Sequence, residues 1–153
     1  MNTIGIRSTP SYIYYTIIEN EEEYFDIITE SKLIVPKALS IPDRLSFIRN
    51  CLFSIIQEYN VINAGIRIAE DIISANKERI YIEGVIQELI SNSCIEKYFI
   101  GNIKNLASLL EETSEDISSY FKNEKVFGDI DEWGNYCKEA RESIITAIAA
   151  GEL

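Results

Sequence analysis

Apolar residues in the first third of the chain follow the two-residue period of a strand, and those in the remainder mostly follow the period of a helix. Thr3 to Arg7 is a short apolar opening. After the turn-like Ser8-Thr9-Pro10, the run Tyr12 to Ile18 is rich in β-branched and aromatic residues, so the two segments predict a hairpin. Beyond the acidic turn Asn20 to Glu23, Tyr24 to Ile28 and Lys32 to Val35 give one or two more strands before Pro36. Ser40-Ile41-Pro42-Asp43 has the form of a helix start, with Ser40 as N-cap, Pro42 in the first turn and Asp43 suited to the positive end of the helix dipole. Leu45, Ile48, Leu52, Ile55, Ile56 and Tyr59 carry that helix to about Tyr59 with one buried stripe.

Val61 to Ile68 predicts a strand buried on both faces around Ala64-Gly65-Ile66. Lys77 to Asn92 predicts a helix, Cys94 to Ile100 a strand, Ile103 to Leu110 and Ser114 to Phe121 two short helices, and Glu132 to Ala150 a last helix with Asp131 as its N-cap. Strands and helices alternate after the first three strands, which argues for parallel strands joined by right-handed crossovers. The expected class is therefore α/β, a mixed five-stranded sheet in which a β-meander precedes β-α units. Helices should cover both faces, and residues 1–153 should form a single domain.

Composition narrows the chemistry. The 153 residues include no His, so a Ser-His-Asp triad, a Cys-His pair and an imidazole-ligated zinc are all excluded. Cys51, Cys94 and Cys137 are too far apart for a Cys-x-x-Cys site, and three isolated thiols suggest a reducing compartment. No apolar run approaches the roughly 20 residues of a membrane span, and the opening has no signal-peptide stretch, so the expectation is a cytoplasmic protein without a membrane partner. The net charge is −11, and it is spread along the chain: 6 basic against 10 acidic residues up to Asn76, then 8 against 15. Nucleic-acid affinity rests largely on Lys and Arg neutralising phosphates, so this balance disfavours nucleic acid as partner, although Arg44, Arg49, Lys77, Arg79 and Lys104 could build a local basic strip.

The element order, with Ile4-Gly5-Ile6, the passage from Arg44-Leu45-Ser46-Phe47-Ile48 to Ala64-Gly65-Ile66, and the ending Glu142-Ser143-Ile144-Ile145-Thr146-Ala147-Ile148-Ala149-Ala150, resembles the RuvC-like Holliday-junction resolvases of the ribonuclease H-like superfamily. Nucleases of that kind hold two divalent ions on four carboxylates, because hard cations take oxygen ligands and must clamp the attacking and leaving oxygens. The resemblance places those four positions at Arg7, Arg67, Glu139 and Glu142. Two acids are thus replaced by arginines, which turns a site of charge near −4 into one near zero. Guanidinium forks suit carboxylates, so Arg7 or Arg67 should pair with Glu139 or Glu142 across the sheet and the last helix.

The resemblance also puts Lys104 near a phosphate-contacting lysine of the family. As a residue it reads equally as a solvated lysine at a helix start. Glu83 and Glu88 read as surface acids, and Trp133 with Tyr136 reads as packing or as an exposed anchor for a partner. Catalytic residues, a metal site and a cofactor are not expected. The reading is a degenerate RuvC-like pseudo-nuclease acting as a protein-interaction or oligomeric scaffold, with dimerisation implied by the resemblance. The alternatives are a branched-DNA binding module without cleavage and an active divalent-metal nuclease with rearranged ligands, for which Glu70 and Asp71 are the nearby candidates.

Overall fold

The computed structural model describes all 153 residues. Three strands come first, β1 (Asn2–Ser8), β2 (Tyr12–Asn20) and β3 (Phe25–Ile34). They are followed by α1 (Ile41–Glu58), β4 (Val61–Arg67), α2 (Lys77–Ser91), β5 (Lys97–Gly101), α3 (Ile103–Leu109), α4 (Ser114–Phe121) and α5 (Lys138–Gly151). The sheet has the order β3-β2-β1-β4-β5, antiparallel from β1 through β3 and parallel from β1 through β5. This is the expected mixed five-stranded α/β sheet.

Alternation along β1 and β4 sorts the two faces. Ile4, Ile6, Ala64 and Ile66 point to one side, where Ile48, Leu52 and Ile56 of α1 and Ile82, Ile86 and Leu89 of α2 close over them. Each such side chain contributes roughly 1.5–3 kcal/mol on burial. The opposite face carries Thr3, Gly5, Arg7 and Asn63, Gly65, Arg67, and α5 lies directly on it. Gly5 lets the helix approach until a Cβ there would meet the Ser143 carbonyl oxygen at 2.1 Å, so the helix backbone sits on the sheet itself. Polar contacts lock the approach. Thr3 Oγ1 donates to the Ala147 carbonyl at 2.8 Å, Asn63 Nδ2 donates to the Ala150 carbonyl at 3.0 Å, and the Thr16 and Ser143 hydroxyls share a hydrogen bond of 2.7 Å. On its far side α5 buries Ile144, Ile145 and Ile148 against α3 and α4, so residues Ala140 to Ala150 are all buried.

Local signals account for the helix starts. Ser40 Oγ accepts from the Asp43 N–H at 3.4 Å, and Asn76 Oδ1 accepts from the Glu78 and Arg79 N–H groups. Three boundaries differ from the sequence expectation. The segments Tyr24–Ile28 and Lys32–Val35 are one continuous strand, because Thr29, Glu30 and Ser31 keep pairing with β2 through a register shift at Ile17/Ile18. β5 starts at Lys97 rather than Cys94.

The last helix begins at Lys138, with Cys137 and not Asp131 as its N-cap. Glu132 adopts φ 55°, a left-handed turn that breaks the helical path, and Trp133-Gly134-Asn135 forms a 3-10 turn. Burial of Trp133 drives this. Its ring is 2% exposed beside Phe127 and Tyr136, and its Nε1 donates to the Tyr120 carbonyl at 3.1 Å, so it packs and is not an exposed anchor. Glu83 is also a correction, since it is buried and not a surface acid: it accepts from the Ala69 N–H at 3.1 Å and from Arg79 Nε at 2.7 Å. Glu88 is exposed and pairs with Arg49 at 2.8 Å. No helix is long and apolar enough to cross a membrane.

Candidate functional site: an arginine-lined cleft at the ends of β1 and β4

Arg7 and Arg67 are register partners on the adjacent parallel strands β1 and β4, so both side chains leave the sheet on the α5 face, one turn from where that helix starts. Glu142, only 3% exposed at its side chain, sits between them. Arg7 Nε meets Glu142 Oε2 at 2.6 Å, and Arg67 Nη2 lies 3.5 Å from Oε1. Arg67 Nη2 also meets Glu70 Oε1 at 2.6 Å, and its Nη1 donates to the Ile68 carbonyl. Its guanidinium stands 5.6 Å over the Phe121 ring, a cation–π arrangement. Glu70 Oε1 in turn accepts from the Ile103 N–H at 2.8 Å, which ties the loop after β4 to the start of α3.

Arg79 extends the network from α2. It donates through Nε to Glu83 and through Nη2 to the Arg67 carbonyl at 3.4 Å. Burial, and then the nearby Arg7 charge, push its guanidinium below its usual basicity. Residues from β1, β4, α2, α5 and the loop 69–76 enclose an open cleft of about 450 Å³ that includes Arg7, Arg67, Arg79, Lys138, Glu70 and Glu142. Four cations and three acids, the third being Asp71, thus meet from five separate segments. In the sequence Arg79 reads only as a member of a possible basic strip; its place in the first turn of α2 brings it to the cleft.

Glu139 does not join this cluster. It is half-buried one column further along the sheet, where it and Cys137 face Tyr14 of β2. Burial first, then Cys137 and Glu139, push the Tyr14 phenol up to about 12. Because the folded chain holds that proton to higher pH than the unfolded one, whose tyrosines titrate near 10, stability should fall as pH rises between about 10 and 12. Denaturant titrations across that range should show the loss, and Tyr14→Phe should remove this part of it; an identical pH dependence in the variant would contradict the assignment.

Lys104 is exposed at the start of α3, apart from the arginine cleft, in an open polar groove with Glu115, Ser118, Ser119 and Lys122 that Glu70 also borders. Asp71 accepts from the Ile73 N–H and the Ser74 hydroxyl within its own loop. The cleft does not suit a divalent ion. Glu142 and Glu70 are its ion-paired carboxylates, two guanidinium groups stand between and beside them, and no group of three or more Asp, Glu, His or Cys side chains is placed to hold a metal ion.

No protein-family model and no curated protein sequence matches the chain. Among solved structures, Thermus thermophilus RuvC in complex with a Holliday junction substrate matches with a TM-score of 0.71 at 8% identity, over 99% of this chain and 94% of that one. A second Thermus thermophilus RuvC structure matches with the same TM-score, 0.71, at 6% identity over the same shares. A fowlpox virus resolvase with Holliday junction DNA matches with a TM-score of 0.52 at 15% identity, over 99% of this chain and 94% of that one. Identities this low speak to architecture alone, and what the full-length likeness establishes is that this α/β chain has the RuvC-like form of the ribonuclease H-like fold.

Proposed function

We propose that the chain is a RuvC-fold protein without nuclease activity that works by binding, with a protein or a second copy of itself as partner. The observation that carries this reading is Glu142 held between Arg7 and Arg67 at 2.6 and 3.5 Å: positive groups stand where hydrolysis would need cations on carboxylates. Two further features favour a protein partner. Three members of the potential basic strip are engaged by acids, Arg44 with Glu78, Arg49 with Glu88 and Arg79 with Glu83. The exposed Ile41 and Tyr81 border one shallow apolar depression with Pro10, Val35 and Leu45, a surface of the kind proteins cover. The likeness to RuvC solved on a junction substrate favours a second reading, branched-DNA binding without cleavage.

A labelled four-way DNA junction tests both. Incubated with the protein and millimolar Mg²⁺ or Mn²⁺, it should stay intact, and the metal should leave the melting temperature unchanged. A metal-dependent cleavage product would overturn the reading. Junction binding at low salt in EDTA that weakens steeply with added salt selects the second reading, because phosphate contacts release counterions; no binding at low salt leaves the protein partner.

A further inference from the structure

We propose that the arginine-lined cleft binds a phosphate monoester dianion directly, with no metal ion, between Arg7, Arg67, Arg79 and Lys138. The proposal deepens the non-hydrolytic reading and rests on it, since the anion uses the guanidinium groups that a metal-loaded site would have to displace.

The first argument is a surplus of donors. A guanidinium carries five N–H groups and accepts nothing. Arg7 uses Nε on Glu142 and Nη1 on the Ser8 carbonyl, leaving Nη2 free of acceptors. Arg79 uses Nε and Nη2, leaving Nη1 free. Arg67 is 4% exposed, yet its Nε is one of two buried side-chain polar atoms with no hydrogen-bond partner. An unpaired buried donor of a charged group is costly; Nε itself is closed off from the cleft, and Arg67 contributes to the lining through its guanidinium charge.

The acids of the cleft offer little competition. Both oxygens of Glu142 face arginines, Glu70 is held by Arg67 and the Ile103 N–H, and Asp71 is held inside its own loop. Lys138 lines the cleft and has no ion-pair partner among the salt bridges of the chain.

The second argument is the backbone field. Asn76 and Lys138 both line the cleft, so two helices of 15 and 14 residues open their N-termini onto it. The α5 N-terminus has no side-chain cap: Cys137 makes no capping hydrogen bond, and the first-turn N–H groups are left for another acceptor. The cleft also lies past the carboxyl ends of two adjacent parallel strands, where open α/β sheets place their ligands. A dianion suits it better than a monoanion, because the cations of the lining outnumber its carboxylates in a protein that is otherwise strongly acidic.

Titration calorimetry on the whole chain, in EDTA and free of sulfate, decides this with three probes: inorganic phosphate, adenosine 5′-monophosphate and adenosine. Phosphate and the monophosphate should bind saturably, with dissociation constants of about 1 mM or tighter, and adenosine should not bind. Lys138→Ala, an exposed position, should weaken both by about fivefold or more without changing the melting temperature, and Arg67→Lys should weaken them at least as much. Tighter binding of the monophosphate than of phosphate identifies a nucleotide or a 5′-phosphorylated end as the source; equal binding identifies the free anion. Absence of saturable heat, equal binding of adenosine and its monophosphate, or a requirement for Mg²⁺ each overturns the proposal. A junction left intact in the cleavage assay together with no phosphate heat removes this inference alone, whereas a cut junction removes the reading beneath it.

Discussion

Arg67→Glu should lower the melting temperature by roughly 10 °C, corresponding to a loss of about 3–5 kcal/mol, the cost of breaking a buried ion pair by removing one partner. The size follows from where the charge sits. Arg67 is 4% exposed, and its loss takes away the contact to Glu142, the contact to Glu70 and the stacking over Phe121 at once. The new carboxylate then stands beside Glu70 and Glu142, of which only Glu142 keeps a paired arginine, Arg7.

Glu70→Gln makes the control, because the Glu70 side chain is 47% exposed and such pairs contribute about 0–1 kcal/mol. Thermal melts of the two variants beside the parent check the pair. A parental melting temperature in Arg67→Glu would mean that the Glu142 network does not hold α5 to the sheet. Partial recovery of the variant by Mg²⁺, where the parent shows none, would indicate that one arginine is what keeps ions out.

Gly5→Ala should be nearly as damaging although it adds only one methyl group. The added Cβ would fall 2.1 Å from the Ser143 carbonyl oxygen and 2.2 Å from the Ala147 nitrogen, and these are backbone atoms that cannot swing aside. The helix must lift, which loosens the Thr3–Ala147 and Thr16–Ser143 hydrogen bonds and the Arg7–Glu142 pair together. Overpacking commonly costs about 1–3 kcal/mol, and with those bonds coupled to it we expect the loss at or above the upper end. Gly84→Ala should do the reverse. Gly84 is inside α2 with nothing within 4 Å of a new Cβ, so alanine should add about 0.5–1 kcal/mol through helix propensity. Denaturant unfolding of both variants reads the two signs directly, and a gain in stability for Gly5→Ala would refute the contact on which α5 is seated.

These predictions separate what one-dimensional pattern can carry from what it cannot. The two-residue period of β1 and β2 and the Ile48-Leu52-Ile56 stripe are written locally, since strand pleat and helix pitch act over a few residues, and they delivered the element order and the α/β class. The caps at Ser40 also needed nothing beyond its own turn. The start of α5 did need more. Asp131 is a good cap by residue type, but the burial of Trp133 under α4 outweighs a capping contribution of about 1 kcal/mol, and the helix starts seven residues after Asp131.

The site divides in the same way. The resemblance to the RuvC-like resolvases singled out Arg7, Arg67, Glu139 and Glu142 as one site, and the structure brings three of them, Arg7, Arg67 and Glu142, together. Only the tertiary structure decided that Glu139 turns to Tyr14, that Glu83 is buried under Arg79, and that Arg79 and Lys138 complete the cleft. Those outcomes depend on the height and rotation of α5 and α2 over the sheet, and Gly5 and Gly65 set the seat of α5 by admitting contacts closer than any side chain allows. Local period is encoded residue by residue; the distance between two packed elements belongs to both surfaces at once, and no stretch of either sequence contains it.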